Sequence, residues 1–430
     1  MVANSQIARP RFGAVGYVKI TVFAFGLNGF WTSLQSVVLP LLILTFVPES
    51  AKNTYLGYLT FAGLLLAIVV QPIASAASDR SRSRWGRRRP FVLIGTALAV
   101  LLLPGMGLWS TYVSVIIVFC LLQIALNTAQ GPYQAFIPDL VPENERGLAS
   151  GVKSLELVGG VILARLVAYF MDRYSGGSKS PWLWMSLGTI GIAILGCMLA
   201  TILTVKEKPG SGGPREPFMS SVIRSFRIDL KYNRQFLYFL VSRGLMAVPA
   251  VALQTFALYY VMDVMKVPNP AGVTANVLIV VGATLIVSAL FAGRYSDRIG
   301  RKPVLVFSGL LGMAGLVFLF FSRTELYLFL SAAVLGVANG AFVSASWAMA
   351  SDMLERGEEA RYMALANLAW CAGSALAHLI GPVIDFFNRI SSNLGYWVML
   401  LIGVVCYLGG TLVVLKVAVR RTTVPNRAPA

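Results

Sequence analysis

Charge is scarce in this sequence. Only 13% of its 430 residues are Asp, Glu, Lys or Arg, about half the share usual in a soluble domain. With 57% hydrophobic residues and a mean hydropathy of +0.73, the soluble globular class is set aside and a membrane protein is expected. Histidine is almost missing, with His378 the single one. Cysteines number four, Cys120, Cys197, Cys371 and Cys406, all within apolar runs and none at metal-type spacing. That excludes a disulfide framework and a zinc site, so no metal is expected. The chain also lacks a phosphate loop and a nucleophile with a histidine nearby in sequence. An enzyme is therefore not expected, and neither is a cofactor. Acids are half as common as bases, 18 against 36, for a net charge of +18. In a soluble protein that balance suggests nucleic acid. Here it matters which loops hold the charge. The N-terminal stretch has no cleavable signal pattern before the first long apolar run and is expected to stay.

What the sequence has in plenty is long apolar runs. A membrane span needs about 20 apolar residues. Twelve are read, roughly 17–46, 54–77, 90–109, 112–137, 147–172, 181–205, 234–263, 272–293, 303–321, 326–351, 361–386 and 394–416. Only "WSTY" separates the third from the fourth. Basic residues fall in alternate loops. One loop, "SDRSRSRWGRRRP", holds six arginines. The loop after span eight, the stretch 206–233 and the tail are also basic, while the opposite loops are nearly balanced. Because positive loops stay cytoplasmic, both termini and the middle stretch are expected inside, in a plasma or inner membrane. Nucleic acid then ceases to be an expected partner, and the bilayer takes its place.

The middle stretch divides the chain. "VKEKPGSGGPREP" has linker composition, and "FMSSVIRSFRIDLKYN" interleaves apolar with basic residues as a short interfacial helix does. The expected organisation is a six-helix bundle over 1–205, a cytoplasmic linker over 206–233, and a second six-helix bundle over 234–430. The halves repeat. Asp79-Arg80 and Asp297-Arg298 stand 218 positions apart, and Asp139 and Asp352 stand 213 apart.

The repeated motif carries a family resemblance. "GRYSDRIGRKP" contains the form Gly-x-x-x-Asp-Arg-x-Gly-Arg-Lys, at Gly293, Asp297, Arg298, Gly300, Arg301 and Lys302. On this motif and its repeat, the chain resembles the major facilitator superfamily over nearly its whole length. In the first copy Ser75 replaces the leading glycine, and three extra residues precede Gly86. That stretched form resembles the sucrose–proton symporters and the neighbouring glycoside–pentoside–hexuronide cation symporters. "NRQFLYFLVSRG" and "LYYVMDVM" fit the same group. The resemblance implies an all-α membrane protein of major facilitator fold, with about twelve transmembrane helices in two pseudo-symmetric six-helix bundles. It implies a monomer that moves a sugar or related small polar solute by alternating access with proton symport. It also implies that the signature residues gate the cytoplasmic side. By position, Asp79, Arg80, Arg87, Arg88, Asp139, Glu143 and Arg146 form the gate in one half, and Asp297, Arg298, Arg301, Asp352 and Arg361 in the other. The plainer alternative is that these loops only hold orientation.

Polar residues inside spans are costly and face a cavity or one another. In span four Gln123, Asn127, Gln130 and Gln134 share one helix face. Amides donate and accept, as sugar hydroxyls require, and they also serve as interhelical glue. Span five carries Lys153, Glu156 and Arg165. Glu156 lies about 15 Å into the span at 1.5 Å per residue. It is expected to take and release the coupling proton, unless Lys153 holds it as a static pair. Arg165 either meets substrate or snorkels outward. Further substrate-binding candidates are Asn28, Trp31 and Gln35 in span one, Arg243 in span seven and Asn339 and Trp347 in span ten. Span eleven adds Asn367, Trp370, Ser374 and His378. Packing is the competing reading for Trp31 and for His378. Two other functions compete with symport. One is an exporter of drugs or metabolites, disfavoured because span five has no proline. The other is a non-transporting assembly factor on the same fold.

Overall fold

The computed structural model describes residues 13–108, 111–142, 145, 149, 152, 153, 155–174, 180–207, 234–353 and 359–417. Among these, every regular element is helical. Eleven helices are long and apolar enough to cross a membrane. They are α1 (Val15–Ile43), α2 (Glu49–Asp79), α3 (Arg89–Leu108), α4 (Tyr112–Leu140), α6 (Pro181–Thr204), α7 (Arg234–Met265), α8 (Pro270–Ile299), α9 (Arg301–Phe321), α10 (Glu325–Asp352), α11 (Tyr362–Ile390) and α12 (Leu394–Leu415). The fifth span is described as α5, Glu156–Met171. Its expected start near 147 lies mostly outside the described residues.

Local chemistry sets the boundaries. The narrow break between α3 and α4 is a capping box, in which Thr111 and Ser114 exchange side-chain and backbone hydrogen bonds and satisfy otherwise orphaned donors. Pro181 opens α6 at a position where a missing N–H costs nothing. The signature glycines have a backbone reason. Gly86 and Gly300 sit at φ of +108° and +95°, a region L side chains rarely enter. Each turns the chain into the following helix.

The chain divides into two compact units, Met1–Val222 with Thr255–Ile279, and Ile223–Gln254 with Val280–Ala430. The expected linker over 206–233 is described only at 206 and 207. Inside each unit, small residues let helices approach closely, as they do where lipid supplies no hydrophobic driving force. In the first unit a Cβ on Gly160 would lie 2.0 Å from Asn28 Oδ1, and one on Gly131 would lie 2.4 Å from the Gln71 carbonyl. In the second, a Cβ on Gly340 would lie 2.0 Å from Ser288 Oγ.

The end of α7 and the start of α8 belong to the first unit and are tied there by polar contacts. Lys52, 4% exposed, pairs with Asp263 at 2.6 Å. Tyr259 donates to the Pro40 carbonyl. Asp172 accepts from the backbone N–H groups of Ala271 and Gly272 at 2.9 Å each, capping the first turn of α8. Burial raises the Asp172 carboxyl, while those two N–H groups and the charges of Arg165 and Arg173 act the other way.

Candidate functional site

The signature motifs build two matching ion-pair networks, one in each unit. In the first, Arg88 is the hub. Its side chain is 5% exposed and pairs with Asp79 at 2.6 Å and Asp139 at 3.0 Å. It also donates to Ser78 Oγ and to the Ser75 carbonyl. Arg87 reaches Asp139 more loosely, at 3.4 Å. In the second network Arg301 pairs with Asp297 and, at 3.1 Å, with Asp352, and donates to Ser296 Oγ. Arg88 and Arg301 stand 213 positions apart, Ser78 and Ser296 stand 218 apart. Of the expected gate residues, Arg80 and Arg298 are exposed. Glu143 and Arg146 lie outside the described residues, as does the side chain of Arg361.

Three parts of this region were not legible in sequence. Ser78 and Ser296 are ordinary serines beside the motif, with nothing to mark them as hub partners. Glu207 looked like one charge in a linker. It instead accepts from the backbone N–H groups of Arg88 and Arg89 at the start of α3. It fits only because Gly86 has no side chain, since a Cβ there would lie 2.1 Å from Glu207 Oε2. Burial raises the Glu207 carboxyl, and the two N–H groups oppose that. Beside the α4–α5 connection, Tyr17 donates to Glu145 at 2.6 Å, two positions beyond the expected Glu143.

The first unit also holds an amide centre. Gln123 and Asn127 are buried, and Asn127 Nδ2 donates to both the carbonyl and Oε1 of Gln123. The stripe does not continue at equal depth, because Gln130 is half-buried and Gln134 exposed. Thr32 donates to Asn28, and Gly160 brings α5 against that same oxygen. Trp31 stacks edge-on with Phe30 and Phe119. Gln35 lies in a π-helical turn, Leu34–Val38, a distortion frequent at functional sites. Glu156 is half-buried in the first turn of α5. It makes no hydrogen bond or ion pair among the described residues. Lys153 does not hold it as a contact pair, its Nζ lying instead 5.9 Å over the ring of Tyr133, which packs on α1 through the Ile20 carbonyl. Arg165 is exposed.

The second unit holds a cationic centre. Arg243 is 3% exposed. Its Nε donates to the Ala366 carbonyl at 2.9 Å and Nη1 to Ser346 Oγ. Trp347 lies over the guanidinium at 4.2 Å, with Trp370 and Phe342 at 5.9 and 6.0 Å. Phe342 and Trp370 stack on each other. Sequence reasoning found Arg243, Trp347 and Trp370 but not Ser346 or Phe342, which carry no motif. Ser374 and His378 are buried, Asn339 is half-buried, and Asn367 is exposed. Among the described residues no group of His, Cys, Asp and Glu has metal-binding geometry.

Comparison with known proteins agrees with this architecture. Residues 24–363 match the family model described as MFS/sugar transport protein. Over 205 residues the chain is 26% identical to the sucrose transport protein SUT1 of Oryza sativa subsp. japonica. That match spans 38% of this chain and 36% of the rice protein. Over 335 residues it is 26% identical to the multidrug resistance protein MdtG of Serratia proteamaculans, covering 74% of this chain and 75% of that one. Among solved structures, the nucleoside transporter NupG superposes with a TM-score of 0.70 at 14% identity, covering 93% of this chain and 99% of that one. A D-xylose-proton symporter gives 0.66 at 17% identity, covering 93% and 97%. At these identities the structures speak to the fold alone.

Proposed function

We infer the function from the premise that this chain belongs to the MFS/sugar transport protein family, an integral membrane transporter of major facilitator fold. The proposal is that it carries a sugar or related small polar solute by alternating access, coupled to proton entry. Family and fold are those of transporters, not of enzymes. The observation that carries proton coupling is Glu156. It is a half-buried carboxylate in a membrane helix, with no ion-pair or hydrogen-bond partner among the described residues. A carboxyl so placed takes a proton readily and releases it when its surroundings change. The amide centre at Gln123 and Asn127 supports a hydroxyl-rich solute. Asn28, Trp31, Gln35, Arg165, Arg243, Asn339, Trp347, Asn367, Trp370, Ser374 and His378 complete the proposed binding residues.

The two signature networks are proposed as cytoplasmic latches. Each draws the ends of three helices together through one arginine, so each must loosen for those ends to part. The same reading puts both termini in the cytoplasm, the two bundles over 1–205 and 234–430, and a monomer in a plasma or inner membrane. The match to MdtG supports a second reading, an exporter of drugs or metabolites, against which stands the missing proline in α5. The test is uptake into proteoliposomes under an imposed proton gradient, over a broad sugar panel. Gradient-driven accumulation of a sugar supports symport. Gradient-driven expulsion of apolar cations, with no sugar uptake, supports export.

A further inference from the structure

Between α8 and α9 the second unit carries a groove of about 700 Å³. Its floor is α10, which approaches α8 closely at Gly336 and Gly340. A Cβ on either would lie 2.0 Å from a hydroxyl oxygen of α8, that of Thr284 or of Ser288. Phe291 and Tyr295 of α8, Phe307 of α9 and Ala341 of α10 line the groove. Phe291, Tyr295 and Phe307 are exposed. The two wall hydroxyls offer the groove no donor, because Thr284 donates to the Val280 carbonyl and Ser288 to that of Leu285, both in their own helix. The α8 wall runs from Thr284 to Ile299, about 22 Å at 1.5 Å per residue. One leaflet's hydrocarbon is about 15 Å deep, half of a bilayer core. The wall is therefore long enough to lie along one acyl chain.

The groove ends beside free positive charge. Helical spacing puts Arg298 on the same face of α8 as Thr284, Phe291 and Tyr295, with Arg294 at the edge of that face. Both arginines are exposed and make no ion pair or hydrogen bond among the described residues. The neighbouring charges are engaged elsewhere. Asp297 and Asp352 are both held by Arg301, and Lys302 donates to the carbonyls of Leu415 and Val417. The repeat shows that the signature motif does not require this arrangement. At the 218 offset, Ala76 and Ala77 stand where the second half has Arg294 and Tyr295.

We propose that this groove and its two arginines bind one anionic phospholipid, an acyl chain along α8 and the phosphate on Arg294 and Arg298. Basic pockets between membrane helices on the cytoplasmic side recognise anionic headgroups in this way. The lipid comes from the leaflet at the α8–α9 connection, the cytoplasmic one in the orientation proposed above. Tyr295 lies one turn inside Arg298, at the depth where an amphipathic ring sits between hydrocarbon and headgroup. The apolar walls hold any chain of suitable length. The arginines select the charge of the headgroup.

Native mass spectrometry of the delipidated full-length protein tests this without any transported solute. The protein is titrated with dioleoyl phosphatidylglycerol or dioleoyl phosphatidylcholine, which share their chains and differ in headgroup charge. Wild type is expected to retain one phosphatidylglycerol in preference by about thirtyfold, from about fivefold for each arginine at a membrane surface. Arg294→Gln with Arg298→Gln is expected to lose that preference. Arg323→Gln, beyond the opposite end of α9, is expected to keep it. Dihexanoyl phosphatidylglycerol, with the same headgroup and short chains, is expected to bind more weakly than the dioleoyl lipid. Equal retention of the two dioleoyl lipids overturns the inference, and so does a folded double variant that keeps the preference. Equal binding of the short-chain lipid overturns it too, leaving only a surface contact with an anion. A lipid-free dimer overturns it in favour of a second copy in the groove. Gel filtration checks each variant, and the wild-type comparisons stand even where a variant fails to fold.

Discussion

Replacing Arg88 with Gln removes the hub of the first signature network. The side chain is 5% exposed and meets Asp79 at 2.6 Å and Asp139 at 3.0 Å, with Ser78 also in reach. Removing one partner of a buried ion pair costs about 3–5 kcal/mol. Asp79 is 55% and Asp139 25% exposed, so water recovers part of the lost solvation and the lower end, about 3 kcal/mol, applies. Arg301 is the matched control, with the same partners in the repeat. Its side chain is 20% exposed and its acids 65% and 48%, closer to a surface pair worth about 1 kcal/mol. For a unit of this size each kcal/mol moves Tm by about 2–4 °C. Arg88→Gln should then lower Tm by roughly 6–12 °C and Arg301→Gln by roughly 2–4 °C. Intrinsic fluorescence of the purified protein in one detergent reads both, at one heating rate because unfolding in detergent is often irreversible. Equal shifts, or a larger one for Arg301→Gln, would refute the argument from burial.

Two further outcomes follow from the packing and the proposed latches. Gly160→Ala places a Cβ 2.0 Å from Asn28 Oδ1 and 2.9 Å from Thr32 Oγ1. It should cost about 1–3 kcal/mol by overpacking and lower Tm in the same melt, whereas Gly188→Ala, with open space around it, should leave Tm unchanged. Asp79→Asn removes one charge from an exposed partner of Arg88, so insertion and gel-filtration behaviour should match wild type while transport falls by about tenfold, one lost charge-assisted contact in the latch. Wild-type transport rates for Asp79→Asn would leave the network a topological device only.

Much of the fold was legible because lipid imposes a simple grammar. Apolar run length located the spans, and even the four-residue break "WSTY" was a true boundary, since Thr111 and Ser114 can close a capping box there. The repeat offsets located both networks, because a motif that must turn the chain at Gly86 or Gly300 keeps its spacing. Partner choice was less legible. Arg87 and Arg88 are adjacent in sequence, and only the helix start puts Arg88 inside and Arg87 at the rim. Glu207 was hidden because its role depends on the space left by Gly86, more than a hundred residues earlier. Helical spacing alone pairs Lys153 with Glu156, but the lysine turns to the ring of Tyr133. The four amides of α4 share one helical phase, yet only Gln123 and Asn127 are buried, while Gln130 is half-buried and Gln134 exposed.

Glu156 is the proposed proton-coupling group, and sugar–proton symport the proposed activity. The most direct measurement is sugar accumulation in proteoliposomes, with and without an imposed proton gradient, for wild type and Glu156→Gln. Wild type is expected to concentrate its sugar only when the gradient is present. Glu156→Gln is expected to equilibrate sugar across the membrane without concentrating it. Uphill accumulation by Glu156→Gln would contradict the coupling role, and the absence of any gradient-driven sugar uptake by wild type would contradict symport itself.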